Sequence, residues 1–567
     1  MYTKELDEEC KKRYASLFPR MFDVVDHYAK TKPKGIALIE YDTGAQVTWK
    51  EFATSTKAMA AKLLKMGIKK GDVVATTLVL IKEHVFLMYA CYRIGAIIAP
   101  LDARLKVAEV DACFSQAKPT AYFFLGKTAV NDFRPMVEEI KKNHPECKHW
   151  IQVQSDEDGI LDGAQSLKAW AADIKSVYIN AAITGKVAKA QKKVGKRDPC
   201  LIIFTTGSTG KPKPAVICHE NILIQNIGLA VGFNVQEKDI FLIDLPPSHV
   251  GCTTEQLALA IYAGTTAVLL QIFDAAKALD AIQKYKVNDI GQIPALFAME
   301  WRLPNYKDYD LKSLRFAIYG GQAVTRDFLE KLEAMAPLIG SGLGLTETAG
   351  FVTYTPVGAS VDEIAAGIGF DMPLCPLSIR DPMKDDGFAG DEKGPGEVGE
   401  ITFSGPQIFL GYLNDPVNTA KTISKDGFCY TGDLGTYDEK GLHFSGRSKL
   451  VIKPKGYQVF PTEVEDGITE ALKGKVGLCA AVGVPHEVFS EAIMFFVEKV
   501  ADQDLTVEEL EEAAQNMAAY KRPLHYEILE PGTMPLNRVA KVDYMALKER
   551  ANQIVEELRA NGGWDQA

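Results

Sequence analysis

The segment Leu201-Ile-Ile-Phe-Thr-Thr-Gly-Ser-Thr-Gly-Lys-Pro-Lys-Pro214 carries an apolar run straight into a turn dense in hydroxyls, glycine and lysine. Backbone N–H groups in such a turn can converge on one point and hold an anion. Gly207 and Gly210 give the turn its freedom. Thr205, Thr206, Ser208 and Thr209 add hydroxyl donors, and Lys213 adds charge. The set suits a phosphate. The GxxxxGK[ST] spacing of a P-loop is absent. A second glycine cluster, Ile339 to Thr348, sets Thr346 and Glu347 directly behind glycines. A hydroxyl beside a carboxylate can hold a phosphate together with Mg²⁺, which takes oxygen ligands and bridges to phosphates. By itself the pair also fits a helix start capped by Thr346. As a dinucleotide fingerprint the cluster fails, because Leu345 stands at the third glycine of GxGxxG.

Groups of this kind need strand ends to hold them, and the patterning supplies strands. Val47-Thr-Trp-Lys-Glu-Phe52 opens a helix to about Met66, a strand follows from Val73 to Leu80, and a helix through Met88 and Tyr92 stops at Gly95. The alternation returns at Val268–Gln271, Asn288–Ile293 and Arg315–Tyr319. Strands alternating with helices predict parallel sheet with crossover connections. Lys186 to Arg197 is a basic run that reads as a solvated helix or linker. Asp381 to Gly396 reads as surface loop. A boundary falls near Gly446, and the segment beyond it contains the capping box Thr506-Val-Glu-Glu509.

The 567 residues are 47% hydrophobic and 24% charged, with a formal net charge of −10. That balance argues for a globular chain and against a dedicated nucleic-acid binder. The ten cysteines show no CxxC pair, which predicts thiols in a reducing, cytoplasmic setting. The start of the chain has no apolar leader, and no run reaches the roughly 18 residues of a membrane span. His144, Cys147 and His149 match no zinc spacing and read as a solvated loop. His219 is expected to pack beneath the phosphate turn.

Further segments complete a pattern: Gly405-Pro-Gln-Ile-Phe-Leu-Gly-Tyr412, Tyr430-Thr-Gly-Asp-Leu434, Gly446-Arg-Ser-Lys through Lys455-Gly-Tyr-Gln-Val459, and Met534-Pro-Leu-Asn-Arg-Val-Ala-Lys541. In this order the motifs resemble the adenylate-forming (AMP-dependent synthetase/ligase) superfamily, in its acyl-CoA synthetase branch, from Val47 to Lys541. The resemblance implies an α/β fold. A large N-terminal domain of layered α/β subdomains with a distorted β-barrel (residues 1–446) would bind ATP and the acid. A small mobile α+β domain (residues 447–567) would carry the catalytic lysines.

The resemblance also implies roles. Thr205, Thr206, Gly207, Ser208, Thr209, Gly210 and Lys213 match the loop over the ATP β- and γ-phosphates. Thr346 matches the residue at the α-phosphate, and Glu347 the Mg²⁺ ligand. Asp433, helped by Arg447, matches the carboxylate that holds the ribose. Gly320, Gly321 and Gln322 match the turn beside adenine, and Leu343 stands where an aromatic ring commonly stacks. His249 matches a position lining the acid tunnel and the thiol entrance. Lys541 matches the lysine that bridges carboxylate and α-phosphate. Lys455 and Gly456 match the loop used for thioester formation, and Lys449 the hinge. Pro214 replaces a usual glycine.

Such a chain would convert a carboxylic acid, ATP and coenzyme A into acyl-CoA, AMP and pyrophosphate. Transfer to a phosphopantetheine carrier protein, and a non-catalytic nucleotide sensor, are the alternatives. A lysine and Mg²⁺ neutralising two like-charged reactants is the physical core of the first step. The acid pocket is expected from His249, Gly251, Cys252, Gln292, Tyr319, Gly320, Gly342 and Leu345. Its glycines leave room for a long or bulky tail, with fatty and cyclic or aromatic acids both open. A homodimer is left open.

Overall fold

The computed structural model describes residues 4–129, 131–153, 159–206, 212–322, 324–447, 450–454, 457, 459–537 and 541–565. The chain divides into two compact units. The first comprises residues 1–377, 385–388 and 403–429, and the second residues 378–384, 389–402 and 430–567.

The first unit is built on two seven-stranded sheets. One runs, in spatial order, Leu338–Gly342, Phe316–Gly320, Asp289–Gln292, Ile240–Ile243, Thr266–Leu269, Ile36–Glu40 and Gln46–Thr48. Its pairs are parallel except the last. The other runs Gln165–Ser166, His149–Val153, Ala121–Leu125, Val73–Thr77, Ile97–Pro100, Pro199–Thr206 and Pro212–Cys218, again parallel except for the final pair. Parallel strands covered on both faces read as continuous apolar runs, which is why these segments stood out in the sequence. The helix Trp49–Lys65 starts at a capping box between Thr48 and Glu51. The helix Lys82–Ile94 stops at Gly95, whose φ of 73° is left-handed. The helix His219–Gly232 is buried along its whole length, as its lack of a polar face demands.

Two expectations about polar segments resolve differently. Lys186–Gln191 within the basic run is helical, and Lys196 pairs with the buried Glu220 at 2.5 Å. His144 does not sit in a solvated loop. It is buried between Asp111 and Glu146, each 3.1 Å away, with the Phe114 ring beside it. Two carboxylates give the ring nitrogens the partners that water would otherwise supply. His219 packs edge-on to Phe22 and Tyr92, and burial pulls its imidazole down to about 3, so it stays neutral.

The second unit holds an open four-stranded sheet of Leu377–Arg380, Gly399–Phe403, Cys429–Asp438 and Gly441–Arg447. No closed barrel forms among the described residues; four strands are too few to close around a core. A separate sheet joins Val476–His486, Ser490–Lys499 and His525–Leu529. Its strands alternate sides with period two. Ile493, Phe495 and Val497 meet the helices Pro461–Ala471 and Val507–Ala514 on one face. Met494 and Phe496 meet the helix Tyr544–Ala560 and Trp564 on the other. The Thr506–Glu509 capping box forms as the sequence indicates.

Candidate functional site

In the first unit Thr205, Thr206 and Lys213 lie on two paired strands. Pro199–Thr206 pairs antiparallel with Pro212–Cys218, setting Thr205 opposite Lys213 and Thr206 opposite Pro212. Gly207, Ser208, Thr209 and Gly210 lie outside the described residues. Pro214 stands opposite Phe204 on the outermost strand of the sheet, where proline is best tolerated. Its carbonyl accepts from the Leu413 N–H at 2.8 Å.

Thr346 and Glu347 form a single 3₁₀ turn with Thr348. The turn is tied down from a distant stretch of chain, the motif Gly405–Tyr412. Gln407 Nε2 donates to the Thr348 carbonyl (2.9 Å) and the Phe351 carbonyl (2.8 Å). The Phe409 N–H donates to the Glu347 carbonyl at 2.9 Å. The Tyr412 hydroxyl donates to Glu347 Oε1 at 2.5 Å. The Lys213 ammonium stands 5.3 Å from the centre of the Tyr412 ring. The same stretch bonds the strand Pro212–Cys218 through Leu410 and Val216. Thus Lys213, Tyr412 and Glu347, from three separate motifs, form one cluster. Burial and the Glu347 carboxylate push the Tyr412 phenol well up, so it remains a donor. Tyr412 was not singled out in the sequence; its signal was its place closing a motif.

Gly320 ends the strand Phe316–Gly320 and Gly342 ends its neighbour at the edge of the sheet, in register with each other. Gly321, with φ of 93°, turns the chain, and Gln322 is exposed. Leu343 is drawn into the backbone ladder: its N–H donates to Thr353 Oγ1 and its carbonyl accepts from the Val352 N–H, each at 2.8 Å. The glycines do not open room for a tail. A Cβ on Gly320 would meet the Phe351 ring at 2.7 Å, one on Gly344 would meet it at 2.8 Å, and one on Gly342 would stand 2.2 Å from the Thr353 carbonyl oxygen. The space is filled by Phe351 and its strand. Gly251 likewise lies against Leu245. Tyr319 and Cys252 are buried, while Leu345 keeps some exposure.

His249 precedes a π-helical turn, Gly251–Leu257. Its Nε2 lies 3.5 Å from Asp102 Oδ2. Asp102 also accepts from Ser248 Oγ (3.3 Å) and from both arms of Arg104 (2.8 and 2.6 Å). Although burial opposes it, Arg104 and His249 together hold the Asp102 carboxyl well below the usual range. Sequence reasoning missed Asp102, which lies far upstream of His249 in a segment that carries no motif.

Gln292 belongs to a buried polar network. Its Nε2 donates to Asp244 Oδ2 (2.6 Å) and Glu300 Oε1 (2.9 Å), and Gln256 Nε2 donates to Asp244 Oδ1 (2.8 Å). Burial pushes both carboxyls upward. No sequence signal marked the network, because its members come from separate segments, and Asp244 and Glu300 are lone polar positions among apolar neighbours.

In the second unit, Asp433 and Arg447 face each other across adjacent antiparallel strands. Arg447 Nε stands 3.2 Å from Asp433 Oδ1, with Asp433 buried and Arg447 exposed. Lys541 closes a short loop: its N–H donates to Asn537 Oδ1 at 3.1 Å and its carbonyl accepts from the Asn537 N–H at 2.7 Å. Burial and then the Arg447 charge lower the Lys541 pKa, while Asp433 opposes them. Asp433, Arg447 and Lys541 therefore share one electrostatic neighbourhood. Lys449, Lys455 and Gly456 lie outside the described residues.

Residues 25–413 match the profile of the AMP-binding enzyme family. The chain belongs to that family. As an AMP-binding enzyme it is 27% identical over 508 residues to 4-coumarate–CoA ligase 2 of Oryza sativa, covering 87% of this chain and 86% of the relative. It is also 27% identical over 533 residues to indoleacetate–CoA ligase of Aromatoleum aromaticum, covering 93% and 98%. Among solved structures it resembles ATP-bound MatB from Rhodopseudomonas palustris, with a TM-score of 0.77, 22% identity and coverage of 94% and 99%. The fold is that of the adenylate-forming enzymes. Among the described residues, no helix is long and apolar enough to cross a membrane.

Proposed function

We propose that this AMP-binding enzyme is an acid–thiol ligase of the AMP-forming acyl-CoA synthetase type. A substrate carboxylate oxygen attacks the α-phosphorus of ATP and pyrophosphate leaves. The sulfur of coenzyme A then attacks the acyl carbon and AMP leaves. The observation that carries this reading is the Lys213–Tyr412–Glu347 cluster, which gathers a cation and a carboxylate beside the paired strands of Thr205 and Lys213. The relatives named above, ligases of 4-coumarate and of indoleacetate with CoA, support the same reaction.

In this reading Thr205, Thr206, Lys213 and the intervening turn hold the β- and γ-phosphates, and Thr346 holds the α-phosphate. Gly320, Gly321, Gln322 and Leu343 border the adenine, and Asp433 with Arg447 takes the ribose hydroxyls. The donor set fits Mg²⁺: Glu347 offers an oxygen, with Oε1 steadied by Tyr412, and Mg²⁺ characteristically uses one or two carboxylates plus substrate phosphates. When bound, Mg²⁺ would neutralise charge on the phosphates. Lys541 neutralises the carboxylate against the α-phosphate, and that need for a cation is met by a side chain whose burial keeps water from weakening it. His249 sits at the acid and thiol entrance and is steadied by Asp102. Lys455 and Gly456 serve the thioester step. A boundary between 446 and 447, with Lys449 as pivot, lets one small domain present each lysine in turn.

Pyrophosphate and AMP release, measured with a panel of acids in the presence and absence of coenzyme A, tests the reading. Acid-dependent pyrophosphate release, with CoA-dependent AMP release, is expected. Pyrophosphate release indifferent to CoA, with acyl adenylate accumulating, would point to another acyl acceptor. No acid-dependent release at all would leave the fold as a nucleotide binder.

A further inference from the structure

Glu255 lies on the π-helical turn Gly251–Leu257, and such turns are frequent at functional sites. Its Oε1 accepts from the Phe351 N–H at 2.7 Å. Among the described residues no cation lies near enough to offset its charge: burial and that one backbone bond act on it, and burial pushes its carboxyl up to about 7. A buried acid without a cation is costly. Yet Glu255 is not sealed off, since it keeps accessible surface inside the unit.

Two glycines pack closely against it. A Cβ on Gly251 would come within 3.5 Å of Glu255 Oε2, and a Cβ on Gly350 would come within 2.6 Å of Oε1. On the same Gly350 face, 2.9 Å from that Cβ position, is Gln225 Nε2. Gln225 is fully buried, and its Nε2 has no hydrogen-bond partner among the described residues. Its Oε1 is already engaged by Asn226, which in turn donates to the Thr254 carbonyl of the π-helical turn. Glu255 Oε1 is thus held by the Phe351 N–H, and the described residues offer Oε2 no donor.

We propose that Glu255 is a specificity-determining residue of the acid site, accepting a hydrogen bond from a donor on the body of the substrate, so that hydroxyl- or amine-bearing acids are preferred over plain hydrocarbon acids. The inference rests on the ligase reading above. A hydroxyl or amine on the substrate would donate to Glu255 Oε2, the oxygen left free by the Phe351 bond. A second carboxylate would be repelled by Glu255 and is disfavoured. Sites built to hydrogen-bond a substrate group reject the analogue lacking it more sharply than apolar pockets reject an extra group.

The test uses matched acids on straight-chain and arylpropanoid skeletons: the parent acid, its hydroxy and amino derivatives, and the dicarboxylate. Pyrophosphate release gives kcat/KM for the wild type and for Glu255→Gln, whose amide oxygen still serves the Phe351 N–H. The readout is the ratio of derivative to parent, which cancels any general loss from altered packing. In the wild type at least one donor-bearing acid should exceed its parent by about tenfold or more. In Glu255→Gln that ratio should collapse by about tenfold, chiefly through KM. A wild type that prefers every parent acid overturns the assignment, as does a ratio unchanged in the variant. If no acid, parent or derivative, supports pyrophosphate release, the ligase reading itself fails and takes this assignment with it.

Discussion

The Phe351 ring packs against the ends of the neighbouring strands Phe316–Gly320 and Leu338–Gly342, and a double-mutant cycle with Gly320 measures that packing directly. The ring is bounded by three glycines. A methyl group at Gly320 would lie 2.7 Å from its Cζ and 2.8 Å from Cε1, one at Gly344 would lie 2.8 Å from Cδ1, and one at Gly342 would lie 3.2 Å from Cδ2. Carbon atoms in contact stand about 3.5–4.0 Å apart, so Gly320→Ala intrudes by about 1 Å. The ring cannot swing aside without meeting the backbone at Gly342 or Gly344. Overpacking of this kind costs about 1–3 kcal/mol, and the lack of slack favours the upper end. Phe351→Ala removes a 9%-exposed ring and should cost about 3–5 kcal/mol. In the double variant the methyl group added by Gly320→Ala enters the space the ring has left. Its cost should fall short of the sum by about 1–3 kcal/mol, the coupling expected of residues in direct contact. Tryptophan fluorescence during urea unfolding is the assay, since Trp49, Trp150, Trp170 and Trp301 all belong to the first unit. Phe351→Ala should also extend the pyrophosphate-release panel to bulkier acids. Additive costs, or an unchanged upper size of acid, would refute the claim that this ring fills the space beside Gly320.

The other predictions concern the charged groups. Tyr412→Phe removes the donor to Glu347; a hydrogen bond to a charged group contributes about 1.5–3 kcal/mol, so the free Mg²⁺ needed for half-maximal pyrophosphate release should rise by about 10- to 150-fold, and an unchanged requirement counts against Glu347 as the ligand. Lys541→Ala should slow adenylation by about 10²–10³-fold while pre-formed acyl adenylate still yields thioester, and retention of wild-type pyrophosphate exchange would rule that role out. Burial and Arg447 lower the Lys541 pKa, so the ammonium is lost at lower pH than on an ordinary lysine and adenylation should fall on that alkaline limb. Removing a neighbouring positive charge raises a lysine pKa, so Arg447→Met should move the limb to higher pH; a limb that stays put would show that the titrating group lies elsewhere. Asp102→Asn loosens the hold on His249 and should slow thioester formation more than adenylation, as single-turnover measurement of the two half-reactions can check.

What could be read from the sequence was what is local. Thr346 with Glu347 is such a case, since the 3₁₀ turn and the side chains it presents occupy the same few residues. The parallel strands announced themselves because burial on both faces leaves unbroken apolar runs. What escaped depends on which side chain arrives from far along the chain. Tyr412 reaches Glu347 across 65 positions, and Asp102 reaches His249 only because two sheet-end loops converge. Asp244 and Glu300 gave no warning because each sits singly among apolar neighbours.

The glycines carry the sharper lesson, since the same residues support opposite readings. Gly320, Gly342 and Gly344 announce that something must pass close to the backbone. They do not say whether that is a substrate or another part of the chain. Here it is Phe351, whose N–H is tied to Glu255, and Glu255 in turn lies between Gly251 and Gly350. Glycine, ring and carboxyl therefore form a single device. The glycines admit the ring, the ring packs against the strand ends, and the carboxyl fixes the ring's backbone while keeping one oxygen for something else. On the proposed reading, a pocket so built would select its acid by shape and by one hydrogen bond together. A substitution at any of the three should then alter which acid is accepted before it alters the phosphate chemistry proposed for Lys213, Tyr412 and Glu347.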